Sequence, residues 1–183
     1  LQEEDLMKTN SKTLDVIGIP DEEDYWKFPG IPSKERMLKG PVAVIECFQE
    51  IPCNVCELAC PRGAIKVGHP ITNLPRLDED KCIGCKSCIP KCPGLAIFVI
   101  DLSRRDEARI SLPYEFLPVP TIGMEVIVLD RSGRSITKGR VIEVLYREEF
   151  DKTYVITISI PKEYAFKARA IKVVKEWEAK DTP

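Results

Sequence analysis

The sequence predicts an α+β fold in which short strands and helices frame two cysteine-bearing repeats, with a β-rich region after them. Three observations lead to this prediction. All eight cysteines fall between Cys47 and Cys92. The segment CPRGAIKV at 60–67 is repeated as CPGLAIFVI at 92–100, each time after closely spaced cysteines. Beyond residue 120, apolar and polar residues alternate in runs separated by turn residues, which is typical of antiparallel strands.

Composition excludes several functional classes. The formal net charge is −2, and no strongly basic stretch predicts a nucleic-acid surface. The apolar runs are too short for a membrane span, and the first ten residues lack a signal-peptide pattern, so a cytoplasmic location is expected. Lysine, glutamate and proline are plentiful while asparagine and glutamine are scarce, which is typical of proteins from hyperthermophiles.

Changes in composition divide the chain into four segments. Their predicted boundaries are an extended N-terminal arm at 1–40, the cysteine repeats at 41–101, a proline-rich linker at 102–120 and a small antiparallel β-barrel at 121–183. Prolines keep the elements of the arm short, and Ser33 is expected to cap a short helix that runs through Lys39 and is stopped by Gly40. The arm also carries Tyr25, Trp26 and Phe28, which either pack on this chain or dock into a partner subunit.

Each repeat is expected to follow a strand–loop–helix–strand order. The first has strands at 42–46 and 64–67 around a helical turn at 54–60, and the second has strands at 76–78 and 96–100 around a helix at 86–91. In the last segment, strands are predicted at 124–130, 135–146 and 153–160, and residues 170–174 are expected to close the barrel.

The strongest motif runs from Cys82 to Pro93 and reads CIGCKSCIPKCP. It fits the C-x2-C-x2-C-x3-C-P spacing of bacterial ferredoxins, in which three thiolates bind one iron–sulfur cluster and the fourth binds another. Gly84 lets backbone N–H groups approach the cluster sulfurs, and Pro93 stiffens the chain after the last ligand. A zinc site is the weaker alternative, since four zinc-binding cysteines usually form two separated pairs. The spacing therefore predicts an iron–sulfur centre.

A less regular motif precedes it and consists of Cys47, Cys53, Cys56, Cys60 and Pro61. Its last three cysteines have the ferredoxin spacing, whereas a regular first cysteine would stand at position 50, which is Glu50. Either Cys47 reaches the iron through a bulge of the chain, or one corner of the cluster lacks a thiolate. The open corner would favour a [3Fe-4S] cluster or a site with a weak oxygen ligand. We favour ligation by Cys47, because no other cysteine remains for that corner.

Together the motifs predict two [4Fe-4S] clusters that exchange one ligand each. The predicted sets are Cys47, Cys53, Cys56 and Cys92 for the first cluster, and Cys60, Cys82, Cys85 and Cys88 for the second. Three further residues, Gly84, Pro61 and Pro93, complete the predicted cluster surroundings. No nucleophile–base pair, dinucleotide-binding glycine pattern or phosphate loop is recognisable, so the chain is expected to have no catalytic site of its own.

Charged residues differ between the two motifs. The first is flanked by Glu46, Glu50 and Glu57, and the second by Lys81, Lys86 and Lys91. Because positive charge favours reduction, this asymmetry predicts the higher potential for the cluster at Cys82. The alternative is that these side chains are solvated and screened by salt.

Two stretches of the chain resemble a known family of subunits. GPVAVIECFQEIPCNVCELACPRGAI at 40–65 and LDEDKCIGCKSCIPKCPGLAIFVID at 77–101 are similar to the ferredoxin-like gamma-type subunit of hetero-oligomeric, flavin-dependent L-proline dehydrogenases of hyperthermophilic archaea. The resemblance continues through LPYEFLPVPTIGMEV at 112–126, and related subunits accompany sarcosine and hydroxyproline dehydrogenases. It implies that partner subunits carry FAD or FMN and oxidise the substrate, while this chain relays electrons between the flavins.

Three hypotheses follow for the function. The chain is a fixed electron-transfer subunit of a flavoenzyme complex, a free-standing soluble ferredoxin, or an assembly protein whose clusters only stabilise its fold. A free shuttle needs neither an N-terminal arm nor a C-terminal barrel, so we favour the first hypothesis.

Overall fold

The computed structural model describes Leu14 and residues 18–174. Its helices are α1 (Glu22–Tyr25), α2 (Lys34–Leu38) and α3 (Val55–Ala59), with single 3-10 turns at Glu148–Phe150 and Lys162–Tyr164. Its strands are β1 (Val42–Ile45), β2 (Ile65–Lys66), β3 (Arg76–Leu77), β4 (Ile97–Asp101), β5 (Ala108–Tyr114), β6 (Glu125–Leu129), β7 (Ser135–Leu145), β8 (Tyr154–Ile160) and β9 (Ala170–Lys172). Seven strands form one antiparallel sheet in the order β1-β4-β5-β8-β7-β6-β9, and β2 pairs with β3.

The two repeats interlock through their strands. The first strand of the first repeat, β1, pairs with the last strand of the second, β4, from Val42 opposite Ile100 to Ile45 opposite Ile97. The inner strands β2 and β3 form the short hairpin. Both β1 and β4 are apolar runs buried on both faces, which explains why neither alternates in sequence. The pairing places the end of each cysteine motif beside the start of the other.

The helix predicted at 86–91 is replaced by consecutive turns. The N–H of Ile89 donates to Lys86 O at 3.1 Å, and the N–H of Cys92 donates to Ile89 O at 3.3 Å. Pro90 has no N–H and disfavours helical backbone in the residue before it, and Lys86 has a left-handed φ of 69°. These local constraints outweigh the helical periodicity on which the prediction depended.

The predicted linker at 102–120 has to be corrected, because it contains a strand inside the sheet. Strand β5 pairs with β4 on one side and along its whole length with β8 on the other. Its proline is tolerated because the pairing with β4 ends at Ser111, two residues before Pro113. Charged residues before β5 and the proline within it conceal the strand in the sequence.

The C-terminal strands continue the sheet of the cysteine repeats, and the predicted closed barrel is not confirmed. Strand β9 ends the order by pairing with β6 from Ile127 opposite Lys172 to Leu129 opposite Ala170. Buried side chains from both halves form one continuous hydrophobic core. Among the described strands, this core joins the cysteine repeats to the C-terminal region without an intervening linker.

Residues 18–40 fold against the repeats, so the extended arm has to be corrected for this part. Tyr25 and Phe28 are buried, and both rings contact Phe48. The N–H of Leu102 donates to the carbonyl of Met37, a fully buried residue of α2. The aromatic side chains therefore pack on this chain. The rest of the predicted arm, at 1–13 and 15–17, lies outside the described residues.

The predicted helix start at Ser33 is confirmed. Its hydroxyl accepts a hydrogen bond from the N–H of Arg36 at 3.1 Å and donates one to Glu79 at 2.8 Å. The helix itself ends at Leu38, one residue before its C-cap Lys39. This local motif holds the segment before β1 against the loop that begins the second cysteine motif.

Candidate iron–sulfur sites

The first predicted ligand set surrounds one cavity. The cavity has a volume of about 280 Å³, and its lining includes Cys47, Cys53, Cys56 and Cys92. Cys47 follows β1, the next two cysteines lie at the start of α3, and Cys92 precedes β4. The pairing of β1 with β4 brings the cysteine of the second motif to the other three. We refer to these four residues as the first cysteine group.

The irregular spacing after Cys47 is accommodated by an outward loop. Residues 49–52 are exposed, whereas Cys47 and Cys53 are both half-buried beside the cavity. The N–H of Cys53 donates to Ile51 O at 2.8 Å and to Ile71 O at 3.1 Å, which fixes the end of the loop. The extra residues thus project into solvent, and the position of Cys47 supports the bulge that the sequence analysis favoured.

The second predicted ligand set surrounds a separate, smaller cavity. Its lining includes Cys60, Cys82, Cys85 and Cys88. Cys60 follows α3 in the first motif, and the other three lie on the turns between β3 and β4. Arg36 of α2 supports these turns, since its Nη2 lies 2.5 Å from the carbonyl oxygen of Cys82. We refer to these four residues as the second cysteine group.

The non-cysteine residues of the prediction also border these cavities. Pro93 lines the first cavity, and Pro61 and Gly84 line the second. The structure gives a reason for glycine at position 84 that is separate from the predicted approach of N–H groups to the cluster sulfurs. Gly84 has φ +63°, and a Cβ there would lie 2.6 Å from the Cβ and 2.7 Å from the carbonyl oxygen of Pro41. Close packing against Pro41 therefore requires glycine.

The donor sets fit multi-atom clusters better than single metal ions. All eight cysteines are free of disulfides. Among the described residues, no group of three or more histidine, cysteine or acidic side chains could hold one metal ion. Each cavity is bordered by four cysteines, which is the number of thiolates that a [4Fe-4S] cluster binds.

Backbone N–H groups point at three of the cysteine sulfurs. Ala64 donates to Cys60 Sγ at 3.2 Å, and Ala96 donates to Cys92 Sγ at 3.5 Å. In both repeats the donor is the fourth residue after the last cysteine, so the repeated sequence produces the same contact twice. The N–H of Ala43, on β1, donates to the sulfur of Cys82 at 3.3 Å. Such bonds stabilise negative charge on a ligand sulfur and tune the potential of a cluster.

Burial keeps several of the thiols protonated when no metal is bound. Burial, followed by the neighbouring thiols, raises the pKa of Cys56 to about 11. The same causes raise the pKa of Cys88 and of Cys47 above the ordinary value. Because thiolates are the ligands of iron, cluster binding must displace these protons.

The flanking charges that predicted unequal potentials have partners in the structure. Glu46 pairs with two arginines. Glu57 accepts hydrogen bonds from the backbone N–H groups of Gly68 and Val67 and from Lys66, and these bonds lower the pKa of Glu57 to about 2. The lysines of the second motif are also engaged: Lys81 with Asp78, Lys86 with Glu143 and Lys91 with Glu149 O. Four of the six charges, those of Glu46, Glu57, Lys81 and Lys86, therefore face a side chain of opposite charge, whereas Lys91 bonds only a backbone carbonyl. This pairing reduces the contrast between the two motifs, and the predicted order of potentials stays a prediction. The partners of Glu46, Lys86 and Lys91 lie 57 to 123 residues away along the chain, which is why sequence reasoning missed them.

Within residues 18–174, none of the helices has the length and apolar character that crossing a membrane requires.

Comparisons with known proteins agree with the cysteine geometry. Residues 51–96 match the family model described as a 4Fe-4S dicluster domain. Over 47 residues, 26% of this chain, the sequence is 43% identical to a component of the ion-translocating oxidoreductase complex of Methanosarcina acetivorans. It is 29% identical to protein Pixie of Drosophila melanogaster over 54% of the chain, and 29% identical to translation initiation factor RLI1 of Saccharomyces cerevisiae over 55%.

Each match covers 17% of the relative's length. No solved structure gives a significant match to the chain. The match to the family model lies within the cysteine repeats, where the geometry already points to iron–sulfur chemistry. These findings support an iron–sulfur electron-transfer role. Residues 51–96 form a 4Fe-4S dicluster domain of the ferredoxin type, with homology to other iron–sulfur proteins.

Proposed function

We propose that this chain is an electron-transfer subunit that holds two [4Fe-4S] clusters, one in each cysteine group. The observation that carries the proposal is the exchange of one cysteine between the motifs: Cys92 borders the cavity of the first group, and Cys60 borders that of the second. This exchange is the ligation pattern of two-cluster ferredoxins. It holds both sites within one small core, so that electrons can pass between them.

The residues of the chain determine how each site would work. A bound cluster of this type accepts and returns single electrons without breaking bonds in a substrate. The cysteine sulfurs would hold it, and the N–H groups of Ala43, Ala64 and Ala96 would stabilise charge on those sulfurs. Cys85 is exposed, which places one ligand of the second group at the protein surface, where an electron can enter or leave.

We further propose that the chain works inside a flavin-dependent amino-acid dehydrogenase, with L-proline as the favoured substrate of the complex. The support is the resemblance of 40–65, 77–101 and 112–126 to the gamma-type subunit of such enzymes. FAD- or FMN-bearing partner subunits would oxidise the substrate, and this chain would connect their flavins. Sarcosine or hydroxyproline is the alternative substrate, and a free ferredoxin is the alternative function.

Purification of the native complex without oxygen tests this proposal. Mass spectrometry of the co-purifying chains, flavin analysis and dye reduction with L-proline, sarcosine or hydroxyproline identify the partner and the substrate. We expect a flavoprotein partner and proline-dependent dye reduction. Recovery as a lone monomer without flavoprotein would favour the free shuttle.

The Cys85→Ser variant separates electron transfer from assembly. We expect it to assemble with its partners and to lose turnover with an external acceptor. Unchanged turnover would instead favour clusters that only stabilise the fold.

A further inference from the structure

A buried group of charges lies beside the first cysteine group and joins three parts of the chain. Glu46 directly precedes Cys47, and its carboxylate accepts hydrogen bonds from Tyr25, Arg131 and Arg169. The Nε atoms of both arginines lie 2.8 Å from carboxylate oxygens, and the tyrosine hydroxyl lies 2.9 Å away. The side chains of Glu46 and Arg169 are only 6% and 4% exposed. We call these four residues, Tyr25, Glu46, Arg131 and Arg169, the Glu46 network.

The Glu46 network contains one more positive charge than negative charge. Burial opposes ionisation of Glu46, but the two arginines outweigh it and lower the pKa of the carboxyl group. Guanidinium groups stay protonated in proteins, so two positive charges face one carboxylate. Among the described residues, no second carboxylate forms an ion pair with Arg131 or Arg169.

Arg169 is the buried source of this excess charge. Its Nη1 donates to two carbonyl oxygens, those of Ala165 at 3.2 Å and Ala168 at 2.5 Å. Its guanidinium lies 5.0 Å from the ring centre of Phe98 on β4. These partners carry no formal charge. Arg131 is 21% exposed and also borders an outer cavity lined in part by acidic residues. Solvent and those residues therefore screen the charge of Arg131 more than that of Arg169.

The network adjoins the cavity of the first cysteine group. Glu46, Phe48 and Ala96 line the cavity of that group, and they also line an adjacent cavity bordered by Arg131 and Arg169. The side chains of Arg169 and Glu46 are themselves buried, so solvent screens their charges less than it screens those of exposed residues. A charge in such surroundings acts at an effective dielectric constant well below that of water.

We propose that the Glu46 network, and Arg169 above all, raises the reduction potential of the cluster in the first cysteine group. The inference deepens the proposed function and rests on it, since it requires a cluster at that site. Reduction adds one negative charge to the cluster, and a fixed positive charge nearby stabilises that product.

Two substitutions of opposite charge make the proposal testable. Arg169→Gln leaves one arginine facing Glu46 and should lower the potential of the first cluster. Glu46→Gln leaves two arginines without a carboxylate and should raise it. We expect each change to alter the ratio of reduced to oxidised cluster by about tenfold at a fixed potential, which is about 59 mV for one electron. If the substitutions merely loosened the structure, the reduction potential of the first cluster would shift in the same direction in both variants.

Two further variants serve as controls. Arg169→Lys keeps the charge and should leave the potential close to that of the unchanged protein. Arg134→Gln removes an exposed positive charge in the same β6–β7 turn as Arg131 and should also leave it unchanged. The measurement is an EPR-monitored redox titration of the complete, anaerobically purified complex, and the second cluster provides an internal reference.

Iron and acid-labile sulfide are determined for every variant. If the protein without substitutions does not contain enough iron and sulfide for two clusters, the proposed function itself is contradicted. Full cluster content with unshifted potentials, or shifts of the same sign in Arg169→Gln and Glu46→Gln, would overturn only the inference about the Glu46 network. If Arg169→Gln does not retain the first cluster, the reduction potentials of that cluster in Glu46→Gln and Arg169→Lys are compared instead. A higher potential in Glu46→Gln, with an unchanged potential in Arg169→Lys, supports the proposal.

Discussion

Lys86, between two cysteines of the second motif, forms an ion pair with Glu143 of β7, 57 residues further along the chain. The same ammonium group lies 3.1 Å from the Thr157 hydroxyl, which in turn lies 2.9 Å from the hydroxyl of Ser111. The turns of the second cysteine group are thereby attached to three strands of the C-terminal part of the sheet. The C-terminal strands support the site as well as the fold.

We expect Glu143→Gln to weaken this attachment. Lys86 is mostly buried, with a side chain 18% exposed, so loss of its charged partner should lower the free energy of unfolding by about 1 kcal/mol. The measurement is the midpoint of guanidinium unfolding, followed by circular dichroism without oxygen. Glu125→Gln is the matched control, because its partner Lys138 is 73% exposed. Equal effects in both variants would contradict a specific role of the Lys86 contact.

Gly84→Ala should disrupt the second cysteine group. The new Cβ would collide with the backbone of Pro41, and the left-handed φ adds strain, so we expect a loss of about 3 kcal/mol in stability. Gly94→Ala, directly after the same motif, is the control, since a Cβ there meets nothing within 4 Å. Iron and sulfide analysis should show loss of the second cluster only in Gly84→Ala. Full cluster content in that variant would mean that the contact with Pro41 can relax.

Substitution of the exchanged cysteines tests the ligand sets. Cys92→Ser should damage the first cluster although Cys92 belongs to the second motif, and Cys60→Ser should damage the second cluster. In each case we expect iron to fall from about eight to about four atoms per chain. EPR of the reduced protein identifies the cluster that remains. If each serine abolished the cluster of its own motif instead, the crossed arrangement would be wrong.

Tyr25→Phe tests whether residues 18–40 are part of the folded core. The hydroxyl bonds Glu46 at 2.9 Å and accepts from Arg169 at 3.3 Å in a buried site, so its removal should cost about 1–2 kcal/mol of stability. Tyr146→Phe should change stability little, because Tyr146 is exposed and its ring stacks on Tyr154. Guanidinium unfolding compares the two variants. An equally small effect at Tyr25 would indicate that this segment is detached in solution.

Local patterns predicted the cysteine loops well, because ligand spacing and turn chemistry are contained in a few consecutive residues. The Ser33 cap and the strands around each motif belong to this class. The helix predicted at 86–91 failed because its periodicity ignored Pro90. Strand β5 was missed because proline disfavours strands in general, whereas Pro113 lies where one neighbouring strand has already ended.

Contacts between distant residues could not be predicted in this way. Glu46 and Arg169 are 123 positions apart, and only the completed sheet brings them together. A charge beside a cysteine motif therefore indicates little about its potential until its partner is known. The sequence shows which charged residues flank each motif, but the tertiary structure decides which of those charges are paired.

The exchange of cysteines between the motifs also has a consequence for biosynthesis. With the ligand sets that we propose, neither cluster can be completed from the first motif alone, because each set includes cysteines of the second. A ribosome builds the chain from its N-terminus, so the thiols of the first motif emerge well before their remaining partners. The second cluster therefore lacks its full ligand set until the chain has been synthesised through Cys88, and the first until it has been synthesised through Cys92. Until then, the nascent polypeptide carries unprotected thiols that need a reducing environment or a dedicated carrier.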